Sequence, residues 1–104
     1  MIDGLVSGRL LDDPERRVGK GDSRFVVAKL RAQTGDGDSL IVNVIAFDDA
    51  PCAALLGLCE GDAVALAGGL TPKVWTDKQG FVKPALDLIA RRVLSAYPGA
   101  EPVQ

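Results

Sequence analysis

Histidine is absent from this 104-residue chain. That removes the commonest general base near neutral pH and the commonest metal ligand, so a His-dependent catalytic triad is excluded. Cysteine is scarce, with only Cys52 and Cys59 present. On a helix these two would share a face but stand about 10 Å apart along the axis, too far for a disulfide. Two cysteines without histidine would also be an unusual zinc site. Ser7, Ser23 and Ser39 have no base partner that would make a nucleophile of them. Gly19-Lys20-Gly21 lacks the spacing of a phosphate-binding loop. No apolar run approaches the roughly 20 residues that cross a bilayer. The opening Met1-Ile2-Asp3-Gly4 shows no basic segment followed by an apolar one. No enzymatic activity, no cofactor and no membrane association are expected, and a cytoplasmic location is the default.

Basic residues are also missing from one long stretch. Residues 32–72 hold no Lys or Arg but six acids: Asp36, Asp38, Asp48, Asp49, Glu60 and Asp62. All 12 basic residues lie in the flanks with the other eight acids, so the middle carries −6 and the flanks +4. The overall charge of −2 argues against a nucleic-acid partner only until this segregation is seen.

What is present is strand-forming sequence. The length bounds the chain to one domain with one modest core, expected over residues 1–97, followed by a short flexible tail at 98–104. Residues 2–11 read as a strand with two tolerated glycines, Gly4 and Gly8, broken by Asp12-Asp13-Pro14. After the turn cluster Gly19-Lys20-Gly21-Asp22, residues 24–32 alternate. Val26, Ala28, Leu30 and Ala32 fall on one face, and Phe25, Val27, Lys29 and Arg31 on the other. Residues 40–47 form a third strand, with Val42, Val44 and Ala46 toward the core and Ile41, Asn43, Ile45 and Phe47 outward. Asp48 or Asp49 caps a short helix with Pro51 in its first turn and Ala54, Leu55 and Leu58 as its buried stripe. A fourth strand covers residues 63–70, interrupted at Gly68-Gly69. Residues 71–83 form a projecting hairpin with Asp77-Lys78-Gln79-Gly80 at its tip, and residues 85–94 form the fifth strand. The order β-β-β-α-β-β predicts an all-β OB-fold, a five-stranded Greek-key barrel with one short helix between its third and fourth strands.

Four strings in register then resemble the bacterial single-stranded-DNA-binding protein family. They are Gly8-Arg9-Leu10 with Asp13-Pro14-Glu15-Arg16-Arg17, Asn43-Val44-Ile45-Ala46-Phe47, Gly61-Asp62-Ala63-Val64 with Gly68-Gly69-Leu70, and Trp75-Thr76-Asp77-Lys78-Gln79-Gly80. The resemblance covers residues 2–94. It implies an OB-fold that binds single-stranded DNA without chemistry, in support of replication, recombination or repair. It also implies a homo-oligomer, a homotetramer ahead of a homodimer. Primosomal replication protein n, a related protein, shares the fold and is typically a homodimer. The chain departs from the family pattern at Ile41 and near Ala32-Gln33, where aromatics are expected, and at Asp48-Asp49, where Gly-Lys is usual. No acidic tail follows the domain, so recruitment of other replication proteins by such a tail is not expected.

Five aromatics are available for stacking: Phe25, Phe47, Trp75, Phe81 and Tyr97. Stacking suits a sequence-tolerant binder because every base has a π-face. Trp75 lies on the projecting hairpin between Lys73 and Lys78, and Phe47 shares the outward parity of Asn43. Both are expected to contact bases, with Phe25 and Phe81 weaker candidates and Tyr97 weaker still. Lys29 and Arg31 on the second strand, Arg9 on the first, and Lys73, Lys78 and Lys83 around the hairpin are the expected phosphate contacts. Arg16, Arg17, Lys20 and Arg24 bracket the first loop. Asp12-Asp13 and Asp48-Asp49 could hold Mg²⁺, but a turn and a helix cap account for them better, and no metal site is assigned. The rival readings are an OB barrel that serves as a protein-interaction module, having lost most of its DNA face, and a primosome-type accessory with weak DNA binding.

Overall fold

A computed structural model describes residues 1–95. Tyr97, the end of the expected domain and the expected tail at 98–104 lie outside the described residues. Six strands and one helix follow in order: β1 (Ile2–Leu10), β2 (Glu15–Val18), β3 (Arg24–Gln33), β4 (Ser39–Ala46), α1 (Asp49–Leu56), β5 (Ala63–Thr76) and β6 (Val82–Ser95), with a 3₁₀ turn at Lys20–Asp22. Five strands close a ring in the order β1-β5-β6-β4-β3, and β3 returns to β1 through the pairs Arg9–Arg31 and Leu10–Leu30. β4 and β6 run parallel and the other pairs antiparallel. With α1 between β4 and β5, this is the OB-fold barrel that the strand order predicts.

The sixth strand, β2, was not expected. Its sequence, Glu15-Arg16-Arg17-Val18, is almost wholly charged and wholly exposed, so hydrophobic alternation gives no sign of it. It forms because β3 is longer than the edge β1 covers: β2 takes up Arg24 to Val27 on that edge. The fourth strand also differs from expectation. Gly68-Gly69 does not end it; β5 runs on to Thr76, and a bulge between Ala67 and Gly68 absorbs the irregularity. At Gly68 a Cβ would collide with the Ile89 carbonyl. Gly8 has the same role where the barrel closes, since a Cβ there would strike the Arg31 carbonyl.

The core holds the inward parity predicted for β3 and β4, namely Val26, Ala28, Leu30 and Ala32 with Val42, Val44 and Ala46, joined by Leu10, Val64, Leu66, Leu88 and Ala90. Helix α1 plugs one end with Pro51 and Leu55, and Leu58 follows from the loop beyond it. Ala54, expected in the buried stripe, is exposed, because in eight residues only positions four apart turn to the barrel mouth. Asp48 occupies the cap position but its side chain makes no cap hydrogen bond. Cys59 lies past the end of the helix rather than on it, and both cysteines are free thiols.

Candidate nucleic-acid interface

The outward residues of β3, β4, β6 and β5 line up in rows across the sheet. The register places Lys29 beside Asn43, Asn43 beside Asp87, and Asp87 beside Thr71. One step along, Val27, Ile45, Ile89 and Gly69 make an apolar row. One step the other way stand Arg31, Ile41, Ala85 and Lys73. A polar row is thus flanked by rows whose middle positions are apolar. Over it lies an open cleft of about 600 Å³ that reaches Phe47 at one end. A smaller depression of about 400 Å³ continues it toward Trp75, and the two share Lys29, Asn43 and Lys73.

Phe47 and Trp75 therefore mark the two ends of one continuous face. Phe47 follows the last residue of β4, while Trp75 stands on the hairpin beside Ile41 and Ala85, in the smaller depression. Phe47 lies six residue steps beyond Ile41 along the extended chain, about 20 Å. Phe47 is 53% exposed and Trp75 43%. Phe25 is half-buried, tilted against Phe47 at a centroid distance of 6.1 Å, with Gly19 beneath its ring. Phe25 thus supports Phe47. Ala85 is buried but lies outside the main core cluster, and it lines the smaller depression together with Trp75. Phe81, exposed near the hairpin turn, lines neither depression.

The hairpin that carries Trp75 is braced by one carboxylate. Asp77 accepts hydrogen bonds from the backbone N–H groups of Gln79 and Phe81, both at 2.9 Å, and stands 3.7 Å from Lys83 Nζ. The Phe81 bond does most to hold the Asp77 carboxyl below its ordinary range, with the Gln79 bond and the Lys83 charge acting in the same direction against some desolvation. Lys83 Nζ is also 5.9 Å from the Trp75 ring centroid. Lys78 sits exposed at the turn.

The charges on the face differ from a plain basic groove. Asp12, Asp13, Glu15 and Asp87 line the larger cleft together with Arg17, Lys29 and Lys73. Arg17 is held by Glu15 at 3.2 Å and Lys73 by Asp87 at 2.8 Å. Asp87 also accepts a long hydrogen bond from Asn43 Nδ2, at 3.4 Å. Among the described residues, Lys29 is the one cation lining this cleft without an acidic partner. Asp13 has a structural task, accepting the Glu60 N–H at 2.8 Å to tie the first loop to the end of the helical segment. Asp87 is the face residue that sequence reasoning missed. Its outward parity was readable from Leu86, Leu88 and Ala90, but its place beside Asn43 follows only from the parallel β4–β6 register.

Arg9 and Arg31 do not join this cleft. They are directly opposed across the β1–β3 closure and line a separate depression with Ser7, Gln33 and Thr34, which shares no lining residue with the first two. Arg9 spends one Nη1 donor on the Gly61 carbonyl, at 3.0 Å.

No family model matches the sequence, and no curated protein matches it by sequence. Comparison of the fold with solved structures decides more. A small single-stranded DNA-binding protein from Streptomyces coelicolor superposes with a TM-score of 0.70 at 18% identity, over 90% of this chain and 93% of that one. This chain has the fold of single-stranded-DNA-binding proteins. A Plasmodium falciparum protein of this kind, solved in complex with single-stranded DNA, gives a TM-score of 0.66 at 13% identity, covering 93% of this chain and 96% of its own. The mitochondrial single-stranded DNA binding protein of S. cerevisiae gives 0.64 at 17%, covering 92% and 97%.

Proposed function

We propose that the chain binds single-stranded DNA without catalysis, in support of replication, recombination or repair in the cytoplasm. The observation that carries this reading is the face bounded by Phe47 and Trp75. Two exposed aromatics stand at its two ends, with the cation Lys29 and the amide Asn43 between them. Bases stack on the aromatics and pack on the apolar rows, while Lys29, Lys73, Lys78 and Lys83 attract phosphates from the rim. Arg9 and Arg31 offer a second cationic patch that a longer strand reaches after leaving the main face. The DNA named with the Plasmodium neighbour supports the same reading.

Self-association belongs to the proposal, with a homotetramer ahead of a homodimer. Residues 2–8 of β1 pair with β5 on one side, and among the described residues no strand covers their other edge. Ile2 and Leu5 are exposed on that strand. An open edge with apolar side chains favours a symmetric partner.

One observation favours a second reading, a protein-interaction module with weak DNA binding: two of the three cations lining the main cleft are already neutralised by Glu15 and Asp87. Titration of a labelled single strand and the matching duplex, at low and high salt, separates the two. The DNA reading requires preference for the single strand and weakening with salt. Equal affinity for single strand and duplex, or no binding at low salt, overturns it.

A further inference from the structure

The polar row has a carboxylate at its centre, where a phosphate-binding groove would be expected to have none. Asp87 lines the main cleft between the apolar row Val27–Ile45–Ile89 and the pair Ile41–Ala85. Lys73 holds Oδ2 and Asn43 reaches Oδ1. The side chain is still 37% exposed. An ionised carboxylate offers about four acceptor positions and no donor, so two bonds leave acceptor capacity open to the cleft.

With its charge met by Lys73, Asp87 still has no proton to give a phosphate oxygen. A strand crossing this row must therefore present base edges to Asp87 and carry its backbone nearer the rim lysines. The apolar rows offer every base the same packing surface, but the bases differ in what they bring to an acceptor. Cytosine carries an N4 amino donor where thymine carries the O4 acceptor. Building on the single-stranded-DNA reading, we infer that Asp87 is a specificity-determining residue that favours cytosine over thymine at the centre of the face. Lys73 and Asn43 position the carboxylate for that task. Thymine O4 placed at the same point opposes acceptor to acceptor, and the pair is left without a proton to share.

The experiment compares labelled dC and dT oligonucleotides of about 16 nucleotides, the upper site size of one barrel, on the wild-type chain and on Asp87→Asn. Asn presents both a donor and an acceptor and carries no charge, so it accommodates either base. The wild-type ratio of dC to dT affinity should fall roughly threefold to tenfold in the variant, the range of one hydrogen bond at a partly solvated site. Binding of both oligonucleotides should also tighten, because Lys73 is released. A dC oligonucleotide methylated twice at each N4, tested on the wild-type chain, removes the donors without touching the protein and should lose a similar factor. If both oligonucleotides bind and neither substitution changes the ratio, Asp87 has no part in base choice and the inference falls while DNA binding stands. If neither oligonucleotide binds the wild-type chain, the DNA reading itself falls.

Discussion

Lys73 Nζ stands 2.8 Å from Asp87 Oδ2, and both residues line the main cleft. The Asp87 hydrogen bond and charge raise the Lys73 pKa, so the ammonium stays charged but is already partnered. Lys29, on β3, has no acidic partner among the described residues. Two lysines that look equivalent in sequence therefore differ in what they can offer a phosphate.

Lys29→Ala is expected to weaken single-stranded-DNA binding evenly across sequences. It should also reduce the slope of log affinity against log salt by about 0.7, the counterion yield of one phosphate contact on a single strand. Lys73→Ala should change the slope less, because its charge is offset before DNA arrives. Titrations over a series of salt concentrations measure both slopes, and identical changes would contradict the distinction.

Trp75 is the single tryptophan, so its fluorescence reports one end of the face. Saturating single-stranded DNA should quench it. Trp75→Ala and Phe47→Ala should each weaken binding by about 1–3 kcal/mol. Since Trp75 is substantially exposed, its truncation should lower folding stability by well under the 3–5 kcal/mol or so of a buried aromatic. Affinity titration and denaturant unfolding of the same variant decide the point. Unquenched fluorescence with a large stability loss would place Trp75 in the core.

Asp77 makes the hairpin sensitive to acid. Its native pKa is depressed, chiefly by the Phe81 N–H. The bracing is therefore fully present above the ordinary aspartate value of about 3.9. It is lost as pH falls through the lower native value. Protection of the Gln79 and Phe81 amides, taken relative to the intrinsic exchange rate at each pH, should fall over that acid range in the wild-type chain. In Asp77→Ala it should already be low at neutral pH. Protection independent of pH would show that the turn holds without the carboxylate.

The open edge of β1 gives the assembly a point of attack. Light scattering of the wild-type chain at micromolar concentration should give a mass above that of a monomer. Leu5→Lys, a charge on an exposed apolar position of that strand, should shift the mass toward the monomer with little change in unfolding midpoint. A wild-type monomer at that concentration would remove self-association from the proposal.

The inward faces of β3 and β4 were legible in the order of amino acids alone. Alternation in residues 24–32 and 40–47 assigned every inward residue of β3 and β4 correctly, because a strand's side chains change face at each step and only one face can be buried. It also placed Phe47, Asn43 and Lys29 outward, and Trp75 on a polar hairpin. It could not show β2, whose four residues have no apolar pattern and pair only because β3 offers them an edge. Nor could it sort the cations. Arg9 and Arg31 share the outward parity of Lys29 but stand at the barrel's closure, where strand curvature turns them to another depression. Asp87 lies 44 positions from Asn43, and only the parallel pairing of β4 with β6 sets them side by side. Side-chain direction is a local property of an extended chain, so it is legible in sequence. Which outward residues become neighbours, and which charges cancel, depends on register between distant strands, and that is settled only when the barrel closes.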